Sequence, residues 1–216
     1  MPAQLKGCLI SIGIGHWALV LVTYQYFSTI IKMSVERLDN NYELIIDEKT
    51  IRRFAFALLA VQILFMFLPF ALSWGWDFTM SGLKILLKHL LIWLIPIIIL
   101  HEGLHGFAWA ISIKGGFRHI KFGFNKDMLA PYTHCKIPLN KWTYITGGVA
   151  PLLIMGIIPA LVSFCFSNAY WYCLSLFCIW SSAGDILSCY YLLKVPSTFK
   201  IQDHPDKLGF ILVSTL

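Results

Sequence analysis

Charge is scarce in this chain. Only 13% of its 216 residues are Asp, Glu, Lys or Arg, about half the share found in soluble domains, which excludes an ordinary water-soluble fold. The stretches Gly7 to Ile31 and Phe54 to Trp76 hold no charged side chain, and Tyr144 to Leu193 holds only Asp185. The six cysteines, at 8, 135, 165, 173, 178 and 189, contain no Cys-x-x-Cys pair, so they indicate neither a disulfide framework nor a structural zinc knot. They read as small apolar packing residues. No internal repeat is evident, which weighs against the duplicated halves of many carriers. The first apolar run is longer than a signal-peptide core and no Ala-x-Ala-like site follows it, so a cleaved leader is not expected.

What the sequence has in abundance is hydrocarbon, with 58% hydrophobic residues and a mean hydropathy of +0.71. We read an all-α polytopic protein, residues 1–216 forming a single membrane domain. Apolar runs of about 17 to 25 residues match a bilayer span. They predict about five transmembrane helices, near 7–31, 54–76, 85–113, 144–166 and 170–193. Ser167 and Asn168, followed by Tyr170 and Trp171, mark the interfacial turn between the last two. Pro96 falls inside the third span as an expected kink. Fourteen basic residues lie in the segments 32–53, 114–142 and 194–216, against Lys6, Lys84 and Lys88 on the opposite side. The positive-inside rule then places the chain in the cell membrane with its N-terminus outside and residues 194–216 as a cytoplasmic tail. The first span is the weak member of this topology, because it contains His16 and would also suit an interfacial helix. The net charge of +6 is explained by the same bias, with no basic stripe suited to nucleic acid.

Within the third span stands His101-Glu102-Gly103-Leu104-His105. On a helix, positions i and i+4 share a face, so both imidazoles reach one tetrahedral ion. Glu102, rotated about 100° from His101, is placed as a general base toward water that zinc has acidified to a pKa of about 7. Ionisable groups at bilayer depth cost roughly 2.5 to 3.5 kcal/mol each on lenient scales, so three in five residues require a function that compensates them. A catalytic zinc needs a third protein ligand, and Asp185 is the best candidate. It is the one acidic residue of its span, and it lies nine residues before Lys194 as His105 lies nine before Lys114. Each is then about 14 Å below the same face. Ala183 and Gly184 leave room for a close neighbour. His119, His134 and His204 fall in charged segments and are weaker ligand candidates.

After Gly115-Gly116, the aromatic and β-branched run Phe117 to Phe124, the turn Asn125-Lys126-Asp127 and the return Tyr132 to Ile137 predict a small β-hairpin. Its edge would suit an extended peptide, which matters because a helical substrate must unwind before its amides are accessible. Tyr42 to Ile46 reads as a short strand in a solvated loop. Thr146-Gly147-Gly148-Val149-Ala150-Pro151 opens the fourth span with glycines that permit close helix approach.

In these features the chain resembles the site-2 protease class of intramembrane metalloproteases over roughly residues 90–193. More closely, His-Glu-x-x-His-Gly, Ala-Pro, Ala-Gly-Asp and an Asp-His-Pro tail resemble a bacterial family of uncharacterised zincin peptidases. The resemblance implies zinc held by His101, His105 and Asp185, with Glu102 as base, acting on peptide bonds of membrane proteins near the cytoplasmic side. Site-2 proteases usually present Asp-Gly and a nearby Asn-Pro; here Gly184 precedes Asp185 and Asn-Pro does not occur. A membrane metal transporter and a catalytically silent adaptor would use the same residues, and the sequence leaves both open, as it does the oligomeric state.

Overall fold

A computed structural model describes residues 34–38, 41–125, 130–204 and 207–214. The expected first span, 7–31, lies outside them. Four further apolar segments are helical. Helix α1 (Glu48–Trp74), α2 (Trp76–Ser112) and α3 (Lys141–Cys165) are each long and apolar enough to cross a membrane. The pair α4 (Ala169–Ser181) and α5 (Ala183–Lys194), bent by 48° at Ser182, makes a fourth if counted as one broken span. The described residues thus carry three or four candidate spans, where the sequence predicts four of its five in this region. Helices α1 and α2 begin several residues before the expected spans, because Glu48, Lys49, Arg52 and Arg53, and Asp77 and Lys84, sit on helical turns beyond the apolar stretch. Helix α2 continues uninterrupted through Pro96.

The all-α expectation needs correcting. Besides the hairpin of β3 (Ile120–Asn125) and β4 (Ala130–Cys135), a five-stranded antiparallel sheet is present. It joins β1 (Ser34–Leu38), β2 (Asn41–Ile45), β5 (Leu139–Asn140), β6 (Phe199–Asp203) and β7 (Gly209–Ser214) in the order β1-β2-β7-β6-β5. Residues expected as a tail therefore supply two strands, and β2 coincides with the short strand read at Tyr42 to Ile46. The tail's alternation is weak over five or six residues, and its partners are far away in sequence: Asn41 pairs with Val213. Local propensity carries no trace of such pairing.

Helix α4 is stitched to α1 at three levels. Trp180 Nε1 donates to Ala55 O at 3.0 Å, Gln62 Nε2 to Leu176 O at 3.0 Å, and Tyr172 Oη to Met66 O at 2.9 Å. Met66 lies in a π-helical turn, Ile63–Phe67, of a kind that loosens the usual i to i−4 ladder and frees a carbonyl. Lipid gives no hydrophobic drive to bring helices together, so such bonds and close packing of small residues hold the bundle. At Gly82, a Cβ would lie 2.5 Å from the backbone of Ala169, which fixes α2 against the start of α4. The α3–α4 turn runs through Ser167, at φ 47°, and Asn168, whose side chain caps Trp171 N.

The sheet and bundle meet at Lys141. Its side chain is buried, and Nζ donates to Leu193 O at 3.0 Å and Val195 O at 2.7 Å. A cation thus satisfies carbonyls at the C-terminal end of α5, where the helix dipole favours it. Hydrogen bonds to charged groups are worth about 1.5 to 3 kcal/mol each. Lys141→Ala is expected to lower the unfolding free energy in detergent by roughly 2 to 4 kcal/mol, read by denaturant titration of intrinsic fluorescence, whereas Lys136→Ala, at an exposed position, leaves it within about 0.5 kcal/mol.

Candidate metal centre

His101 and His105 project from one face of α2, and the bend at Ser182 brings the first turn of α5 across to them. Ser182 is fully buried, with its backbone N–H and hydroxyl both directed to Cys178 O. Asp185 then lies in the first turn of α5, where the unpaired amides of a helix start favour a carboxylate. The three side chains converge. His101 Nε2 is 3.1 Å from Asp185 Oδ2, His105 Nε2 is 3.4 Å from Asp185 Oδ1, and the two Nε2 atoms are 3.2 Å apart. A tetrahedral zinc with bonds of 2.0 to 2.1 Å holds its ligand atoms about 3.3 Å apart, so this donor triangle has the size of one face of such a site. Among the described residues it is the one His, Cys, Asp and Glu group of this kind.

The tautomer of His105 supports the fit. Its Nδ1 is 2.9 Å from Gly147 O, and a carbonyl only accepts, so Nδ1 carries the proton and Nε2 presents its lone pair to the triangle. The Gly147 carbonyl is reachable because α3 passes very close to α2: a Cβ at Gly147 would lie 2.0 Å from Trp109 Nε1. That indole donates to Tyr144 O at 3.1 Å and stacks on His105 at 5.7 Å. At Gly148 an added Cβ would meet Cys189 Sγ of α5 at 2.9 Å. The glycine pair therefore serves close approach, as the sequence suggests. Gly184 does not, since a Cβ there meets nothing within 4 Å, and its place is on the cavity wall.

That cavity, about 640 Å³, is lined by Glu102, His105, Gly184 and Asp185 on the bundle side. The backbone carbonyl of Glu102 accepts from Thr133 Oγ1 of β4 at 2.8 Å, so the hairpin is fastened to the HExxH turn. The lining also includes His134, Tyr144, Asp203 and His204, residues given little weight in the sequence. His134 Nδ1 is 3.3 Å from Asp203 Oδ2, Tyr144 Oη donates to Asp203 Oδ1, and His204 Nε2 is 3.4 Å from Glu43 Oε1. Asp203 also accepts from Cys135 N at 3.2 Å. Burial pushes the Cys135 thiol above its ordinary pKa, with the neighbouring Asp203 charge adding to the effect, which keeps it protonated and unsuited to metal. His119 sits in the 3₁₀ turn Gly116–His119, away from the cavity lining. The Asp-His-Pro tail motif was the one signal for this part of the lining; its pairing with β2, β4 and α3 is invisible locally.

Two outcomes follow for metal content, measured by mass spectrometry of detergent-purified protein after dialysis. Wild type is expected to hold close to one zinc per chain and Asp185→Ala well below one. Gly147→Ala, which pushes Trp109 and the His105 acceptor, is expected to weaken zinc binding by about 10- to 100-fold in a chelator competition.

Comparison with known proteins agrees with the geometry. An archaeal relative, the "Uncharacterized 24.7 kDa protein in gap 5'region" of Pyrococcus woesei, is 32% identical over 135 residues, covering 58% of this chain and 55% of that protein. The match thus spans about half the length of that relative. No solved structure matches the chain. The stretch that contributes both histidines, the hairpin, the glycine pair and the aspartate, residues 94–199, matches the family described as "Putative zincin peptidase".

Proposed function

We propose that the chain is a zinc-dependent endopeptidase of the cell membrane that cleaves transmembrane or membrane-proximal segments near the cytoplasmic side. The observation that carries this reading is the donor triangle of His101, His105 and Asp185, set at a cavity that Glu102, His105 and Asp185 line. Zinc held by these three residues would supply Lewis-acid chemistry, polarising the scissile carbonyl and acidifying the attacking water. Glu102 takes the water's proton and passes it to the leaving amine, as its place in the motif requires. Among the described helices, three or four are apolar enough to span the bilayer, and Phe117, Phe122 and Phe124 are exposed around the hairpin, in keeping with a site at lipid depth.

Strand β4 offers a place for an extended substrate. The Cys135 N–H turns to Asp203 while Lys136 N returns to His119 O beside β3. Alternation along the strand then directs the backbone groups of Thr133, like those of Cys135, away from β3. Pro131, Tyr132 and Thr133 line the cavity. A peptide unwound from its helix can pair along this edge and bring one amide level with Glu102.

Glu102→Ala is expected to retain zinc and to lose about 10²- to 10⁴-fold in kcat on an unfolded protein substrate such as β-casein. Full activity in that variant, or a folded wild type without zinc, would overturn the proposal.

A further inference from the structure

The cavity that Glu102, His105 and Asp185 line also carries an aspartate and a histidine that the proposed chemistry leaves idle. Asp203 faces three donors from two elements: the Tyr144 hydroxyl of α3, and the Cys135 N–H and His134 Nδ1 of β4. Anchoring the β6 strand would need one of these. Three together fix the carboxylate, and the carboxylate in turn fixes the imidazole ring. With Nδ1 committed to Asp203, the ring atom left for the cavity is Nε2. The side chains of His134 and Asp203 are 23% and 20% exposed, so the pair is partly shielded, and both line the cavity that contains Glu102, His105 and Asp185.

His134 is also tied to the HExxH turn. Its chain neighbour Thr133 is bonded to the backbone carbonyl of Glu102. From Asp203 the network continues through Tyr144 to the Trp109 indole, whose ring stacks on His105. The imidazole is thereby held in register with both the base and a metal-ligand candidate, without joining the donor triangle.

Resting on the peptidase reading, we propose that His134 is a further catalytic residue, donating a hydrogen bond from Nε2 to the carbonyl oxygen of the amide under attack. Asp203 and Tyr144 are positioning residues that act through it. In its imidazolium form both ring nitrogens are donors, Nδ1 to Asp203 and Nε2 to the substrate. The water oxygen forms the new bond to the carbonyl carbon, the C–N bond breaks, and the proton taken by Glu102 goes to the departing nitrogen. His134 keeps its proton throughout, so its contribution grows as charge develops on the carbonyl oxygen.

Two substitutions of similar bulk separate a donor from a spacer. His134→Gln keeps an N–H donor without the ring, and His134→Phe keeps a ring without a donor. With full-length protein in detergent and β-casein as substrate, His134→Phe is expected to lose about 100-fold in kcat with KM within about threefold, while His134→Gln stays within about tenfold of wild type. Zinc content and melting temperature should remain at the wild-type value in both. Affinity for N-phosphoryl-leucyl-tryptophan, a tetrahedral mimic, should fall in His134→Phe and hold in His134→Gln. Equal or higher activity in the Phe variant, or loss of zinc in either variant, overturns the inference. If Glu102→Ala is inactive while His134→Phe matches wild type, this inference alone falls. If Glu102→Ala is active or wild type binds no zinc, the peptidase reading falls and takes this one with it.

Discussion

The hydrogen bond from His105 Nδ1 to the Gly147 carbonyl is the constraint on which the site depends. It fixes a tautomer, and it does so where α3 packs tightly on the Trp109 side chain of α2. A side chain at position 147 would occupy the space of the Trp109 indole, so the bond, the stacked indole and the missing Cβ are one packing solution. In the absence of a hydrophobic drive between helices, shape and polar contacts at such places decide which faces meet. The bend at Ser182 completes the arrangement from the other side by delivering Asp185 on a short helix of its own. Rigid backbone on three segments thus sets the separation of the donors before any ion arrives, which limits the reorganisation that binding has to overcome.

The metal side of the cavity was legible in the sequence because its signals are local. His101, Glu102 and His105 are written in one helical turn, and Asp185 stands out as an acid in an apolar span. The hairpin was legible for the same reason: glycines, aromatics and a polar turn follow one another within twenty-odd residues, and β3 and β4 fall within a few positions of the expected strands. The glycine pair at 147 and 148 announced close approach, although nothing in the sequence says that its neighbours are Trp109 and Cys189.

The rest of the lining was not legible. His134, Asp203 and Tyr144 come from a strand, a distant strand and a helix, and each is unremarkable in its own segment. Residues 194–216 were read as a cytoplasmic tail because polarity is what a short, half-exposed strand and a loop share; only the pairing of β7 with β2 tells them apart. Lys141 entered the sequence reading only as one of the basic residues of segment 114–142, and it is buried over the end of α5. Composition sees the sign of a residue but not the carbonyls that receive it.

The five-stranded sheet has a consequence in time. Strand β2 precedes all the described helices, whereas β7, which pairs with it, and β6, which pairs with β7 and carries Asp203, follow them. Until β6 and β7 have left the ribosome, β2 has only β1 beside it and the cavity lacks Asp203, however complete the HExxH helix already is. Contacts of such long sequence separation form late. A nascent chain would therefore carry His101, His105 and Asp185 with part of the cleft still open, and the finished cleft would appear only when the ends of the folded unit are sewn together.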